Sequence, residues 1–470
     1  MKHLTSFEFD ANRRKIRPGA KRSFSFLLLL CVLFAGCSTL EPLPEETLPA
    51  QTVETEKVNK KPADSQTDSN AKNCYGAPIY IHENEYQTIE DASPDQLMGR
   101  RLTWENINSF PLKSADMSTD ELRQLCLDFF KFSKTALWIP DEDFSYVRNK
   151  KGTIDKMFAG EIYGGLPYIG SSTGNIYRLM DYMDEERGVV DMSEVSKYPK
   201  LFGNQCSVGS YWGWERVINS ADYDWTFNMV ASRGFIPVGP YTYNPDIASF
   251  NELSTVTICQ NNGEQTMFKS YANMLPADGL ISNDPSVGHV VMCSAKPVVF
   301  YNTNGAIDGE KSYLYIVDQH QAWVEKENSA GVVYQHKNYI DRKLTFASLL
   351  KSNYVPFTFG EFLGTDPVEE TECTFGHEGS EITVEQLKTA VATANYGISD
   401  TYVYVKDAEG TVLFYKVKRA PKAGMKTMDL SEVVYAATFS PYADGKHTVE
   451  IVCQLGTGER PTIYTGTLVK

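Results

Sequence analysis

One helix-forming segment followed by several short apolar strands constrains the fold of this chain more than any other feature. The helical segment continues from Cys206 through SYWGWERVIN. Three segments rich in β-branched and aromatic residues follow it between turn signals: GFIPVGPY, GHVVMCSAKPVVFY and SYLYIVDQ. Because helices and strands that do not strictly alternate are typical of antiparallel sheets, the predicted fold class is α+β. A parallel doubly wound sheet fits this order less well.

A second helix is predicted upstream, in MSTDELRQLCLDFFKFSKTALWIP. Ser118 and Glu121 have the spacing of a capping box, and Pro140 stands beyond the helical pattern. Apolar residues recur at helical spacing at positions 122, 125, 129, 132 and 136. We therefore expect an amphipathic helix whose apolar stripe packs against a core.

The pattern changes after Asp366. The segments TYVYVKDAEGTVLFYKVK, KHTVEIVCQL and TIYTGTLVK alternate apolar and polar residues around turns that contain glycine. This predicts a small all-β, sandwich-like domain over residues 366–470, after a larger domain over residues 75–365. The segment EITVEQLKTAVATA is predicted to add one helix or an edge element. The small domain has no cluster of acid, base and nucleophile, so a structural or carbohydrate-contacting role is preferred.

The first 36 residues have the composition of a signal peptide. They contain seven Lys/Arg and two acidic residues and end in FSFLLLLCVLFAG, directly before Cys37. The sequence LFAGC resembles the lipobox of bacterial lipoproteins, which implies cleavage and lipidation at Cys37. The apolar run is too short to cross a membrane comfortably. We therefore expect a protein in the cell envelope, lipid-anchored on the exported face, with residues 37–74 as a flexible linker because they are polar and proline-bearing.

The charge of the chain limits its partners. The formal net charge is −15, and the leader carries +5 (seven basic minus two acidic residues), so the processed chain carries −20. Such a surface repels nucleic acid, so no nucleic-acid partner is expected.

Cysteine and histidine patterns give no support for a metal site. The sequence contains neither CxxC nor HExxH. Of nine cysteines, Cys31 leaves with the leader and Cys37 would carry lipid, so seven remain. An odd number leaves at least one free thiol unless a bridge forms between molecules. Buried apolar side chains or disulfide partners are expected at Cys126, Cys259 and Cys293, and Cys373 and Cys453 are candidates for a pair that the sequence does not fix.

Cys206 is the candidate nucleophile. Thiol chemistry needs a thiolate, a base and a group that orients the base. A turn at Gly203 and Asn204 would place Cys206 at a helix N-terminus, where the helix dipole and free amides lower the pKa of a thiol and stabilise an oxyanion. His289 opens one predicted strand and Asp318 ends the next, so antiparallel pairing would bring them together. Gln319 or His320 would replace Asp318 if the register slipped.

These segments carry a family resemblance. The ordered set GLPYIG, then a helix-opening CS, then LPADG ahead of GHVVM, resembles the NlpC-type cell-wall peptidases, a papain-like superfamily that includes the CHAP amidases. The resemblance covers residues 164–321. It implies that Cys206 is the nucleophile, His289 the general base and acid, and Asp318 the orienting residue. Tyr168 would be a substrate or oxyanion contact.

The resemblance also implies a function. We expect a monomeric cysteine hydrolase that cleaves amide bonds in peptidoglycan stem peptides through a thioester intermediate, without a metal or organic cofactor. Two alternatives stay open. One is an acyltransferase or amidase variant of the same superfamily. The other is a lipoprotein without catalytic activity that binds wall peptides or a partner protein.

Overall fold

The computed structural model describes residues 67–68, 71–77, 79–82, 99–149, 151–223, 226, 229–231, 234–244, 254–283, 288–320, 326–327, 332–334 and 338–470. The predicted signal peptide and the lipidation residue Cys37 lie outside the described residues. Among the described residues, no helix combines the length and the apolar character that a membrane span requires.

Helices occur along the whole described chain. They are α1 (Trp104–Asn108), α2 (Thr119–Thr135), α3 (Ile176–Met180), α4 (Met192–Val195), α5 (Cys206–Trp214), α6 (Thr255–Asn262), α7 (Glu264–Ala272), α8 (Phe346–Lys351), α9 (Gly360–Leu363), α10 (Val384–Thr389) and α11 (Ala436–Phe439). Short 3₁₀ helices cover Pro199–Leu201, Met229–Ala231 and Ser440–Tyr442.

The strands of the first part of the chain are β1 (Thr67–Asp68), β2 (Ile81–His82), β3 (Leu137–Pro140), β4 (Phe144–Val147), β5 (Ile154–Met157), β6 (Ile162–Gly164), β7 (Met183–Asp184), β8 (Val189–Val190), β9 (Ile236–Pro237), β10 (Gly279–Asn283), β11 (Gly288–Val298), β12 (Tyr313–Gln319), β13 (Lys326–Glu327), β14 (Val332–Tyr334), β15 (Asn338–Thr345) and β16 (Val355–Thr358). Those of the last part are β17 (Cys373–Phe375), β18 (Glu381–Thr383), β19 (Val391–Ala394), β20 (Ile398–Lys406), β21 (Val412–Arg419), β22 (Thr427–Asp429), β23 (Thr448–Leu455) and β24 (Thr462–Val469).

A six-stranded antiparallel sheet forms the centre of the larger part of the chain. Its order is β15-β12-β11-β10-β16-β9. Helix α5 packs between this sheet and α2. The approach is close at Gly213, where a β-carbon would lie 2.9 Å from Phe130 Cβ of α2 and 3.2 Å from Met292 Cε of β11. The prediction of a mixed fold with antiparallel sheets is confirmed.

Helix α2 separates two apolar cores. Ser118 and Glu121 form the predicted capping box. Phe130 packs into the core shared with α5 and the central sheet, whereas Phe129 and Phe132 pack into a second core. The predicted amphipathic helix is therefore confirmed, but it is buried on two faces, and even Lys134 is enclosed.

Other strands extend this part of the molecule. A mixed sheet of order β13-β14-β6-β3-β8-β7 contains the parallel pairs β14–β6 and β3–β8. Two-stranded pairs are formed by β4 with β5 and by β1 with β2. The last residues of the predicted linker are packed against the larger part of the chain, because Ala71 and Asn73 are buried and Asn73 Nδ2 donates to Asp181 O at 2.7 Å.

The C-terminal part is mostly strand. A sheet of order β18-β24-β23-β20-β21 lies beside a smaller one of order β17-β19-β22. Strand β18 pairs with β24 in parallel, whereas the other pairs of these sheets are antiparallel. Helix α10 lies in the segment for which one helix or an edge element was predicted, whereas α11 is a helix that the all-β expectation did not include. Thr383 and Gln386 start α10 with a capping box inside EITVEQLK.

A buried polar cluster joins the C-terminal sheets to the larger part. Arg178, fully enclosed, contacts Asp400 at 3.0 Å and donates to the carbonyls of Ser399 and Ala420. Arg419 contacts Asp181 at 2.6 Å. Charges removed from water in this way are tolerated only when they are paired and hydrogen-bonded.

The end of helix α5 also touches the C-terminal part. A β-carbon at Gly397 would lie 2.1 Å from Glu215 Oε1, and one at Gly456 would lie 2.4 Å from Glu215 Oε2. Only glycine permits this approach of the backbone to the carboxyl group. Burial raises the pKa of Glu215 to about 8. The cysteine helix is thus covered at its far end by C-terminal residues.

We expect Arg178→Met to lower the free energy of unfolding by about 3–5 kcal/mol, because it leaves the buried Asp400 carboxylate with only the longer contact to Arg419, at 3.3 Å, and removes the donor to two buried carbonyls. Urea unfolding of the full-length protein measures this change. The matched control is Lys406→Met, which breaks a partly exposed ion pair with Glu450. It should lower the free energy of unfolding by less than about 1 kcal/mol. Equal losses in the two variants would contradict the role assigned to the buried cluster.

Candidate active site

Cys206 is the first residue of α5. Gln205 precedes it in an extended conformation, with φ −113° and ψ 173°, and its side chain does not cap the helix. A β-carbon at Gly203 would lie 2.5 Å from the Ile169 side chain, so the turn before the cysteine requires glycine. The Cys206 side chain is buried at the helix N-terminus, where the backbone N–H groups of the first turn point toward the same end.

His289 and Asp318 come together from neighbouring strands. Strands β11 and β12 are antiparallel, with Met292 opposite Val317. Continuing this register places His289 opposite His320 and one diagonal step from Asp318, on the same face of the sheet. His289 Nε2 lies 2.7 Å from Asp318 Oδ1, and the side chain of Asp318 is almost fully buried.

The thiol of Cys206 interacts with the same histidine. Burial alone would raise the pKa of Cys206, but the charge of His289 and a hydrogen bond with its ring lower it, and the Val290 N–H adds to this effect. The net result is a pKa below that of an ordinary thiol. Because Nε2 of His289 contacts Asp318, Nδ1 is the ring nitrogen left for the sulfur.

The pKa values of the other two groups move in the directions that favour an ion pair. Burial is the largest single influence on His289 and opposes its charge, but the negative charges of Asp318, Tyr354 and Cys206 and the hydrogen bond with Asp318 together raise the pKa of the imidazole well above its usual value. Burial is also the largest single influence on Asp318 and opposes its charge, but the charge and hydrogen bond of His289, with the charges of His320 and Arg342, together lower the pKa of this carboxyl group. The arrangement therefore stabilises thiolate, imidazolium and carboxylate together.

The two alternatives to Asp318 occupy different places. The His320 ring lies edge-on to the His289 ring, with centroids 5.2 Å apart. Gln319 points to the opposite face of the strand, where its Nε2 donates to Leu166 O at 3.3 Å and to Asn204 O at 3.4 Å. Asp318 Oδ1 contacts Nε2 of His289 at hydrogen-bond distance.

Tyr168 lies beside the cysteine loop. Its backbone forms a parallel β-bridge with Asn204, two residues before Cys206. Its ring belongs to the same buried cluster as Cys206 and is 8% exposed. The segment of Tyr168 therefore pairs with the loop that leads to Cys206, and its role as a substrate or oxyanion contact stays a prediction.

Two residues near the site were not expected from the sequence. Tyr354 is close enough to the charges of His289, Asp318 and Cys206 to respond to them, although burial is the main cause that raises its pKa to about 12. Lys134 Nζ donates to Gln319 Oε1. Neither residue belongs to a motif, and each reaches the site through tertiary packing.

The remaining described cysteines differ from Cys206. All are free thiols in the structure, and burial raises the pKa of Cys126, Cys259 and Cys293. These three match the prediction of buried apolar side chains. The thiols of Cys373 and Cys453 are close enough to hydrogen-bond with each other.

Among the residues that the structure describes, no group of three or more His, Cys, Asp and Glu side chains is arranged to hold a metal ion. Comparisons with protein-family models, with curated proteins and with solved structures found no match.

The ion pair should make stability depend on pH. The lowered pKa of Asp318 gives stabilisation that is present above about pH 4 and is lost as the pH falls through the folded value. The raised pKa of His289 gives stabilisation that is present below about pH 6.5 and is lost as the pH rises through the folded value. Asp318→Asn should therefore cost most near pH 5.5, by about 1.5–3 kcal/mol, and less at high pH.

Urea unfolding of both forms from pH 5 to pH 10 measures this difference. The control is Asp444→Asn, which alters an exposed His–Asp pair with an Nδ1–Oδ1 distance of 2.9 Å and should have little effect throughout. A cost for Asp318→Asn that stays constant over the whole range would argue against an ion pair.

Proposed function

We propose that this protein is a cysteine hydrolase that cleaves amide bonds in peptidoglycan stem peptides, with Cys206 as nucleophile, His289 as general acid and base, and Asp318 as the orienting residue. One observation carries the proposal. A helix-opening thiol with a lowered pKa hydrogen-bonds to a histidine whose Nε2 lies 2.7 Å from a buried carboxylate. Nucleophile, base and orienter in this order are the parts that thiol-dependent acyl transfer requires.

The chemistry follows from these roles. The Cys206 thiolate adds to the carbonyl carbon of the scissile amide, and the carbonyl oxygen takes the negative charge. The His289 imidazolium donates its proton to the nitrogen of the leaving amine, and the carbon–nitrogen bond breaks to leave a thioester. His289, now neutral, takes a proton from a water molecule that attacks the thioester. The acid product leaves and the thiolate is restored.

The helix start supplies charge stabilisation for the first step. The side chain of Gln205 does not cap α5, so N–H groups of its first turn are available to the oxyanion. The Gln205 Oε1 atom instead accepts a hydrogen bond from Ser171 N at 3.1 Å, which holds the neighbouring loop. Tyr168, on the adjoining segment, is a second contact proposed for the substrate or the oxyanion.

Asp318 has a positioning role in this scheme. It accepts a hydrogen bond from Nε2 of His289, which leaves Nδ1 directed at the sulfur and fixes the tautomer of the neutral ring. Because Asp318 is buried, its negative charge acts on the imidazole with little screening by water.

Two sequence features support a substrate in the cell wall. The order of GLPYIG, the helix-opening CS, LPADG and GHVVM resembles cell-wall peptidases of the NlpC type. The predicted lipidated Cys37 and flexible linker would hold the enzyme at the envelope, next to peptidoglycan. The acidic surface fits a partner that is not a nucleic acid.

Full-length protein purified in detergent should release stem-peptide fragments from purified peptidoglycan. Cys206→Ala and His289→Ala should each lower the rate at least about 10³-fold, because each removes a group that takes part in bond making or breaking. Mass spectrometry of the soluble fragments identifies the bond that is cleaved.

The controls are Cys74→Ala and His447→Ala, which change a cysteine and a histidine outside the site and should retain activity. Thioester transfer to an added amine in place of water would favour the acyltransferase variant. Absence of any product from folded wild-type protein, with walls of several chemical types, would contradict hydrolysis and favour the binding alternative.

A further inference from the structure

Lys134 is a buried lysine beside the candidate active site. Its side chain is 0% exposed at the C-terminal part of α2. Within the part of the chain that the structure describes, Gln319 Oε1 is its hydrogen-bond acceptor, and the amine lies 4.8 Å from the centroid of the Phe130 ring. An ammonium group in such a place loses its hydration, and one neutral amide does not replace it.

The amine lies against the first turn of the cysteine helix. A β-carbon added at Gly209 would come within 2.9 Å of Lys134 Nζ and 2.8 Å of Gln319 Oε1. Gly209 is three residues after Cys206 on the same helix, so the amine lies roughly one helical turn from the thiol. The N-terminal end of a helix carries partial positive charge, so α5 itself does not attract the ammonium. Another source of negative charge must compensate its burial.

The proposed triad provides that charge. Thiolate, imidazolium and carboxylate carry −1, +1 and −1, which leaves a net charge of −1 in an enclosed site. A protonated Lys134 brings the sum to zero. Burial lowers the pKa of Lys134 to about 7, and the charges of Asp318 and Cys206 act in the opposite direction. The amine therefore loses its proton close to neutral pH.

Gln319 connects the amine to both sides of the site. Its neighbour in sequence is Asp318, and its Nε2 donates to the carbonyl of Asn204, two residues before Cys206. Lys134 donates to the Oε1 of the same amide. The side chain of Gln319 thus has its donors directed at the cysteine loop and its acceptor directed at the amine.

We propose that Lys134 is a positioning residue that supplies the counter-charge of the Cys206 thiolate and Asp318 carboxylate. It also holds the side chain of Gln319 between β12, which carries Asp318, and the loop that precedes Cys206. This inference rests on the proposed function. It does not make Lys134 a catalytic residue, because the amine contacts Gln319 and the helix at Gly209 and not the reacting atoms.

The test is the pH dependence of Cys206 alkylation by iodoacetamide in the full-length protein, followed by mass spectrometry of the peptide that contains Cys206. Lys134→Met removes the charge and keeps an unbranched side chain of similar length. At pH 6, where the amine is protonated, alkylation of Lys134→Met should be about tenfold slower than that of the wild type. At pH 9, where the amine of the wild type is neutral and Lys134→Met has no charge to lose, the difference should fall below about twofold.

Three further variants separate charge from packing. Lys134→Arg keeps the positive charge and should stay close to the wild type at pH 6. Lys131→Met removes an exposed lysine of the same helix that pairs with Asp341, and should leave the profile unchanged. Gln319→Leu removes the hydrogen-bond acceptor and should slow alkylation by a similar factor at all pH values. Circular dichroism checks that each variant is folded.

The outcomes distinguish this inference from the proposed function. A lowered thiol pKa in the wild type, with an unchanged profile in folded Lys134→Met, overturns the role of Lys134 alone. A slowing by Lys134→Met that is equal at pH 6 and pH 9 overturns the counter-charge and leaves only packing. An ordinary thiol pKa of about 8.5 in the wild type overturns both the counter-charge and the proposed thiolate nucleophile.

Discussion

The antiparallel pairing of β11 with β12 is the constraint on which the candidate site depends. It sets His289 one diagonal step from Asp318 and brings their side chains to 2.7 Å. The same pairing turns Gln319 to the other face, toward α2 and α5. A register shift of one residue would exchange the two faces, so that Gln319 would meet His289 and the carboxylate would point at Lys134. One strand register therefore decides both the proposed triad and the surroundings of its helix.

Helix α5 is fixed at both ends by different parts of the chain. Its N-terminus lies against the loops at Tyr168 and Asn204, and its far end lies against Gly397 and Gly456. The C-terminal sheets are joined to the larger part by buried charges as well, such as Arg178 with Asp400. The predicted division at residue 366 thus separates two sequence patterns that share a buried polar interface. The C-terminal sheets contribute to the surroundings of the cysteine helix.

Features specified by neighbouring residues could be predicted from the sequence. Ser118 and Glu121 start α2 through a local capping box, and the helix that opens at Cys206 follows from its turn and its apolar run. The approximate positions of β11 and β12 follow from their β-branched residues. The C-terminal strands follow from period-two alternation, which α10 and α11 interrupt.

Features that depend on distant residues could not be predicted. The contact of Arg178 with Asp400 joins positions more than 200 residues apart, and no local pattern marks it. The burial of Lys134 depends on Gly209 leaving room at its side, and on Gln319 presenting an oxygen. Which of Asp318, Gln319 and His320 meets His289 depends on the strand register, which the sequence left open.

Because Gly397 and Gly456 pack on Glu215, the far end of α5 acquires its neighbours only when most of the chain has been synthesised. A nascent chain that ends before position 397 already contains Cys206, His289 and Asp318, but it lacks the backbone that covers this end of the helix. The cover on this end of the helix is therefore completed only when the last strands emerge, after all three residues of the proposed triad have been synthesised.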